Sequence, residues 1–409
     1  MKILYISYDG MTDPLGQSQV IPYLIGLSQK NKITIISCEK KDRFEKQKVL
    51  IQQQLDQHQI GWIPVSYSSL PSILSKQWNI MRMKKKAIAF CKMEHPEIVH
   101  CRSYMAALIG LLLKKKFNTR FIFDMRGFWV DERIEGNIWS QTNFIHRKLY
   151  SYFKKKEIQF LQHADYTITL TENAKKEILS WQHLQSFSVP IEVIPCCADL
   201  EHFSIKNIQQ SAQQQLEKKL AVSEDDFIIT YLGSIGTWYL LDEMLDFFLY
   251  VMKQFETAKF LFITQDSKAH ILEKAAAKGI KEERLIICAA SRGEVPLYLS
   301  LSKIAVYFIR PTYSKKASSP TKTAEILGMG IPIVTNSGIG DSDLLLKNPG
   351  TGVIIDDFRI ETYIKAVNRF FLLLSSDKNE RVELSHTYFS LNRGIELYQS
   401  VYNKITEYN

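Results

Sequence analysis

Four cations and one carboxylate crowd a single stretch of this chain, residues 310–335, which reads RPTYSKKASSPTKTAEILGMGIPIVT. Arg310, Lys315, Lys316 and Lys322 carry the positive charge, and Glu325 stands one turn beyond Lys322. Ser319 is suited to cap a helix N-terminus and Pro320 to occupy its first position, where a missing N–H costs nothing. The unpaired N–H groups and positive dipole end of such a helix favour an anion. A phosphate-bearing ligand with hydroxyls nearby would satisfy all of these groups. Other glycines suited to close approach are Gly16, in PLGQSQ, and Gly233 with Gly236, in GSIG. A plain left-handed turn is the alternative at each. Neither loop contains GxGxxG, which counts against a nicotinamide cofactor.

Elements that could position these groups alternate along the chain. The helix after Pro320 is expected to end near Gly328 or Gly330, between strands at 304–309 and 331–335. Strands are also expected at 2–8, 32–38, 60–65, 98–101, 120–124, 166–170 and 192–195, and again at 227–232, 259–264, 284–289 and 352–355. Helical stretches such as 72–93 and 145–163 lie between them. Alternation of this kind predicts an α/β chain of parallel sheets covered by helices on both faces. A polar, glutamine-rich piece at 199–223 interrupts it. The expectation is two Rossmann-like doubly wound parallel-sheet domains facing a central cleft, over 1–200 and 201–385, with a last segment at 386–409. Leu391, Ile395, Tyr398, Val401, Tyr402 and Ile405 give that segment an amphipathic helical face. It is expected to pack across both domains, and packing within the second alone fits equally well. Open parallel sheets bind ligands beyond their strands' carboxyl ends, so the loops 9–18, 124–137, 233–239, 290–294 and 310–319 are the places to look.

A chain of 409 residues exceeds one ordinary core, and 45% hydrophobic with 23% charged residues is a globular composition. The longest apolar run, 105–113, is half a membrane span and ends in Lys114–Lys116, which predicts a buried helix. MKILYISYDG runs straight from strand to polar loop and does not read as a signal peptide. Six cysteines without CxxC or Cys/His spacing support neither a disulfide framework nor a zinc site, and suggest a reducing cytoplasm.

The net charge of +9 is uneven: residues 1–200 hold 28 Lys and Arg against 18 Asp and Glu, the remainder 24 against 25. Triple lysines occur at 84–86, 114–116 and 154–156. Solvated helix ends explain any one of them, whereas three together suggest a face for anionic lipid or a phosphorylated acceptor. Nothing resembling a nucleic-acid motif accompanies the charge.

Several other residues have two readings. His100, with Arg102 just beyond, caps a strand or contacts an acceptor. Arg292, Gly293 and Glu294 follow a second-domain strand at a place where a ligand could be met. Trp129, Trp139, Trp238 and Tyr239 stack on a ligand or fill the core. The pairs Asp131–Glu132 and Asp341/Asp343 fall in loops, with no spacing that shows them bracketing a glycosidic bond. There is no P-loop, no metal-ligand cluster and no Ser-His-Asp constellation.

Taken in order, GMTDPLGQSQVIPYL, VIPCCADLEHF (with Pro195, Asp199 and Phe203), YLGSIGTWY and SSPTKTAEILGMGIPIV resemble the retaining nucleotide-sugar glycosyltransferases of the GT-B architecture, glycosyltransferase family 4 (glycosyl transferases group 1). The resemblance spans essentially the whole chain. It implies a donor held mainly by the second domain, an acceptor by the first, and no obligatory metal or cofactor. In that family two glutamates separated by seven residues mark the donor site. Glu325 matches the second, which binds the ribose hydroxyls, while Ala317 stands at the first. Ser234 occupies the position of a phosphate-binding arginine, and no Lys or Arg follows before Lys253. Where relatives carry a histidine after the strand at 121–123, this chain has Asp124-Met125-Arg126. Asp124 is then a candidate for sugar or acceptor hydroxyls and Arg126 for a phosphate; the alternative is an Asp–Arg pair that fixes its own loop.

Resemblance and residues together imply catalytic candidates Asp124, Arg126 and Lys322. The donor-binding candidates are Gly16, Gly233, Ser234, Arg292, Arg310, Ser319, Thr321, Lys322 and Glu325. The expected activity is transfer of a sugar, UDP-linked by preference, to a lipid-linked or surface-polysaccharide acceptor at the cytoplasmic face of the membrane. Two alternatives stand beside it: a sugar-nucleotide epimerase of the same architecture, and a non-catalytic binding protein descended from such enzymes.

Overall fold

Apolar runs such as FIITYL at 227–232 bury every side chain, because strands of a parallel sheet are covered on both faces. The computed structural model describes residues 1–68 and 73–407. It divides into one unit of Met1–Pro195 with Leu391–Asn409, and a second of Cys196–Ser390. The first carries β1 (Lys2–Ser7), β2 (Lys32–Glu39), β3 (Gly61–Ser66), β4 (Ile98–Arg102), β5 (Arg120–Asp124), β6 (Tyr166–Thr169) and β7 (Ile191–Val193). All pair in parallel in the order β3-β2-β1-β4-β5-β6-β7.

The second unit repeats the plan with β8 (Phe227–Leu232), β9 (Ala258–Ile263), β10 (Leu285–Cys288), β11 (Ile304–Val306), β12 (Ile333–Asn336) and β13 (Gly352–Ile355). Their order is β10-β9-β8-β11-β12-β13, again parallel. Both sheets are therefore doubly wound and Rossmann-like. In each, the order reverses at one point, between β1 and β4 or between β8 and β11, and ligands of such sheets bind beyond the strand ends there.

Local departures from expectation have plain causes. β11 stops at Val306, and Ile309 pairs instead in an antiparallel bridge with Tyr239. β12 begins at Ile333, after Pro332, which has no N–H to give a ladder. The helix expected at 72–93 is Ile73–Glu94, and residue 72 lies outside the described residues. The run at 105–113 is buried within the helix Ser103–Phe117, and Lys114 at its end bonds Asp165 at 2.6 Å.

The last helix, Leu391–Glu407, belongs to the first unit, where expectation had it spanning both domains or lying on the second. Its buried side, including Tyr398, Val401, Tyr402 and Ile405, packs against the helix Ile21–Ser28. Gly26 permits the approach, since a β-carbon there would stand 2.9 Å from Ile395 Cγ1. Lys404 adds an ion pair to Glu192 next to β7, at 3.1 Å. Thus the chain leaves the first unit at Pro195 and returns to it at Leu391.

Candidate active site

At the switch point of the second sheet, β8 ends in a turn over 233–236 whose glycines take φ of +108° and +37°. Backbone of this kind favours residues without a β-carbon. Lys322, in the first turn of the helix Thr321–Gly328, reaches directly into it. Its Nζ lies 3.2 Å from where a Gly233 β-carbon would stand, and donates to the Tyr231 hydroxyl at 3.3 Å. The ring centres of Tyr239 and Tyr231 are 3.7 and 4.3 Å away. Lys322 is only 8% exposed. Burial pushes its ammonium down to about 7, and Glu325 only partly opposes the shift. Among the described residues no carboxylate pairs with it directly.

One turn further on, Glu325 is buried except for 6% of its surface and accepts from Arg292 Nη1 at 2.9 Å. That guanidinium also lies over the Phe203 ring, 5.2 Å from its centre. The helix itself begins at Thr321 with Pro320 at the cap, and no side chain caps it. Ser319, expected in that role, accepts instead from the Cys196 N–H at 3.1 Å. Its hydroxyl ties the start of the second unit to the site. Gly328 ends the helix, and Gly330 turns the chain with φ +73°.

Arg310 joins this group through its backbone, whose N–H donates to the Trp238 carbonyl at 2.9 Å, so the basic loop runs beside the glycine turn. Lys315 Nζ covers the Trp238 ring at 3.7 Å, while Lys316 is exposed over Tyr313. Gly233, Arg292, Lys322 and Glu325 are thus brought together, with Ser319, Thr321 and Arg310 at the edges. Ser234 is engaged differently from expectation. Its hydroxyl donates to Asp266 at 3.0 Å, and the Ile235 N–H donates to the same carboxylate. An acidic side chain therefore occupies the turn where relatives of the resembled family place an arginine. Ala317 is buried.

Three candidates lie in the first unit. Gly16 has a local reason: a β-carbon there would collide with Gly10 O and stand 2.7 Å from Met11 Cα. That crowding by its own preceding loop is by itself a sufficient reason for glycine here. Glu39 organises the loop, accepting from the Met11 N–H at 2.7 Å and the Thr12 hydroxyl at 2.6 Å.

Asp124 is fully buried at the end of β5 and accepts from the Tyr398 hydroxyl at 3.1 Å. Its carboxylate also lies 3.5 Å from His100 Nε2 and 4.0 Å from Arg126 Nη1. Burial works to raise the Asp124 carboxyl, but Arg126, His100 and Arg102 outweigh it and hold it below the usual range. His100 is lowered by burial and shares a 2.7 Å hydrogen bond with the Tyr402 hydroxyl. Direct contact between Asp124 and a sugar is therefore replaced by an internal network joining β4, β5 and the last helix. Arg126, at φ +58°, stands at its rim with a side chain 9% exposed.

The remaining two-way readings resolve toward structure. Trp129 meets Trp139 and Phe153 edge-on, and Trp139 stacks on Phe153. Asp131 accepts from Tyr150 and Lys154, and Asp343 accepts from the Gly338 N–H. Sequence reasoning missed Tyr231 and Asp266. Tyr231 had one signal, its place two residues before a strand-end glycine, whereas Asp266 had none. Among the described residues no group of three His, Cys, Asp or Glu is placed to hold a metal ion, and no helix is long and apolar enough to cross a membrane.

Two doubly wound parallel sheets in succession make up the GT-B architecture, and the second carries a cation and a carboxylate at its switch point. Residues 25–202 match the family described as Glycosyltransferase Family 4, and residues 212–384 match Glycosyl transferases group 1. The chain belongs to the GT-B glycosyltransferases. It is similar to sucrose-phosphate synthase from Thermosynechococcus elongatus, with TM-score 0.72 and 14% identity over 100% of both chains. A glycosyltransferase from Rickettsia africae ESF-5 superposes with TM-score 0.71 at 16% identity, over 100% of this chain and 99% of that one. HepE from Anabaena in complex with UDP-glucose gives 0.68 at 12%, over 98% and 100%. At such identities the likeness is one of fold. No curated protein matches the sequence.

Proposed function

We propose that this chain transfers a sugar from a nucleoside diphosphate donor, a UDP-sugar by preference, to an acceptor hydroxyl with retention at the anomeric carbon. One observation supports this above the others: the Lys322 ammonium, stripped of water, lies against the Gly233 turn at the switch point of the second sheet. A diphosphate placed there would meet Lys322, the uncapped N-terminus at Thr321 and the free O–H of Ser319, with Arg310 as a second cation. Glu325, steadied by Arg292, would accept from the ribose hydroxyls. UDP is preferred because the similar HepE structure holds UDP-glucose.

In the reaction the bond from the anomeric carbon to the diphosphate oxygen breaks, and a bond to the acceptor oxygen forms on the same face. The leaving diphosphate oxygen takes the acceptor proton, so no separate base is required. Lys322 and the helix N-terminus stabilise the charge that develops on the leaving group. The reading requires no metal, and activity should survive chelation. Asp124 enters as a positioning residue that holds Arg126, and Arg126 as the first unit's contact to a phosphate or the acceptor.

The acceptor in this reading is a lipid-linked or surface-polysaccharide intermediate at the cytoplasmic face of a membrane. The excess of Lys and Arg in residues 1–200 supports it. A thermal-shift panel of nucleotide sugars tests the donor assignment. A ligand at a hundred times its Kd adds about 2.7 kcal/mol of stability, and no protection by any of them would sink the proposal. Product analysis then separates it from epimerisation: free nucleoside diphosphate with a new glycoside, against an isomerised sugar nucleotide.

A further inference from the structure

The helix Phe144–His163 has two unlike faces. Phe153, Glu157, Phe160 and Leu161 are buried, and Lys154 turns inward with them to pair with Asp131 and Glu157. The outer side runs through Phe144, Arg147, Lys148, Ser151, Tyr152 and Lys155, which line one shallow depression along the first turns. Phe144 is 58% exposed, Ile145 53% and Tyr152 46%, and Ile138, on the turn leading into the helix, is 53% exposed. Lys148 Nζ sits 4.3 Å from the centre of the Phe144 ring.

No Asp or Glu occurs between Glu135 and Glu157, and among the described residues Arg147, Lys148 and Lys155 form no ion pair. An ordinary solvated helix face mixes both signs of charge and keeps large apolar side chains few. This face instead combines cations on long stems with bulky aromatic and aliphatic groups. Interfacial helices use that composition, their apolar groups entering the headgroup boundary while the cations meet lipid phosphates. Phe144 and Tyr152 could stack on a base, but the exposed aliphatic Ile145 beside them suits hydrocarbon and offers a nucleic acid nothing.

We propose that the outer face of Phe144–His163 lies on an anionic lipid surface. This rests on the membrane-bound acceptor proposed above and names the surface that would meet the membrane. The full chain is sedimented with phosphatidylcholine vesicles prepared with and without phosphatidylglycerol. Wild type should pellet with the anionic vesicles only, and less so as salt rises. Lys148→Glu with Lys155→Glu should weaken that binding at least about tenfold. Phe144→Ser with Ile145→Ser should weaken what remains at high salt, and melting curves should show all variants folded.

Equal binding by the charge-reversed variant, equal binding to neutral vesicles, or pelleting as a self-associated species without vesicles would each overturn the proposal. Protection by UDP-glucose is measured on the same samples. Absence of protection in wild type by UDP-glucose and by every other nucleotide sugar of the panel defeats the transferase reading, whereas intact protection with no vesicle binding defeats only the lipid surface.

Discussion

Lys322 Nζ stands 3.2 Å from the position a Gly233 β-carbon would occupy, so the cation and the turn that would share a phosphate are already in contact. Gly233→Ala must therefore displace the ammonium and also hold an alanine at φ +108°. Left-handed strain and lost fit together should destabilise the chain by about 1–3 kcal/mol. Donor affinity should fall with it. Thermal melts and nucleotide titration of this one variant check both outcomes.

The depressed Lys322 ammonium makes stability and binding respond to pH in opposite directions. Its native value is about 7 against an ordinary 10.5, so between these the unfolded chain holds the extra proton. Stability should accordingly rise with pH across that window. Lys322→Met should remove this rise and make the ligand-free protein more stable by about 1 kcal/mol. The same variant should lose donor binding. Wild type should take up a proton from solution as a diphosphate binds above pH 7, and calorimetry in buffers of different ionisation enthalpy would register it.

Glu325 is assigned to the ribose. Glu325→Ala should weaken donor use by at least about tenfold, or 1.4 kcal/mol. The sharper test is selectivity: wild type should prefer UDP-glucose over its 2′-deoxyuridine counterpart, and the variant should treat the two alike. An unchanged preference would remove Glu325 from the site.

Tyr398 gives its hydroxyl hydrogen to the buried Asp124 carboxylate. Tyr398→Phe leaves that oxygen unsatisfied and should cost about 1–3 kcal/mol. Because the network lies in the first unit, protection by UDP-glucose should stay as it is in wild type. A stability change with equal donor protection confirms the division of roles.

Much of this architecture was readable along the chain because the signals are local. Alternating apolar runs and helical spacing, read within windows of a few residues, led to two parallel doubly wound sheets. Ser319-Pro320 marked the start of the 321–328 helix within about one residue, and Lys322 with Glu325 followed from their place in its first turns. The strand-end position of Gly233 pointed to the same loop. Each depends on neighbours close in sequence, whose physics operates before the chain has folded.

What stayed hidden was every relation between distant segments. An amphipathic stripe says that Leu391–Glu407 must bury one side, yet any apolar surface would serve, and complementarity with Gly26 and Asp124 selects the first unit. Burial likewise decides that Asp124 is a network member and that Lys322 sits at the edge of neutrality. Asp266 reaches the Ser234 turn from the next strand's end, and the cation–aromatic face at 144–155 emerges only when Lys154 folds inward and Lys155 does not. Charge and type are written in the residues, whereas desolvation and partnership belong to the packed state, because they depend on what else fills the surrounding space.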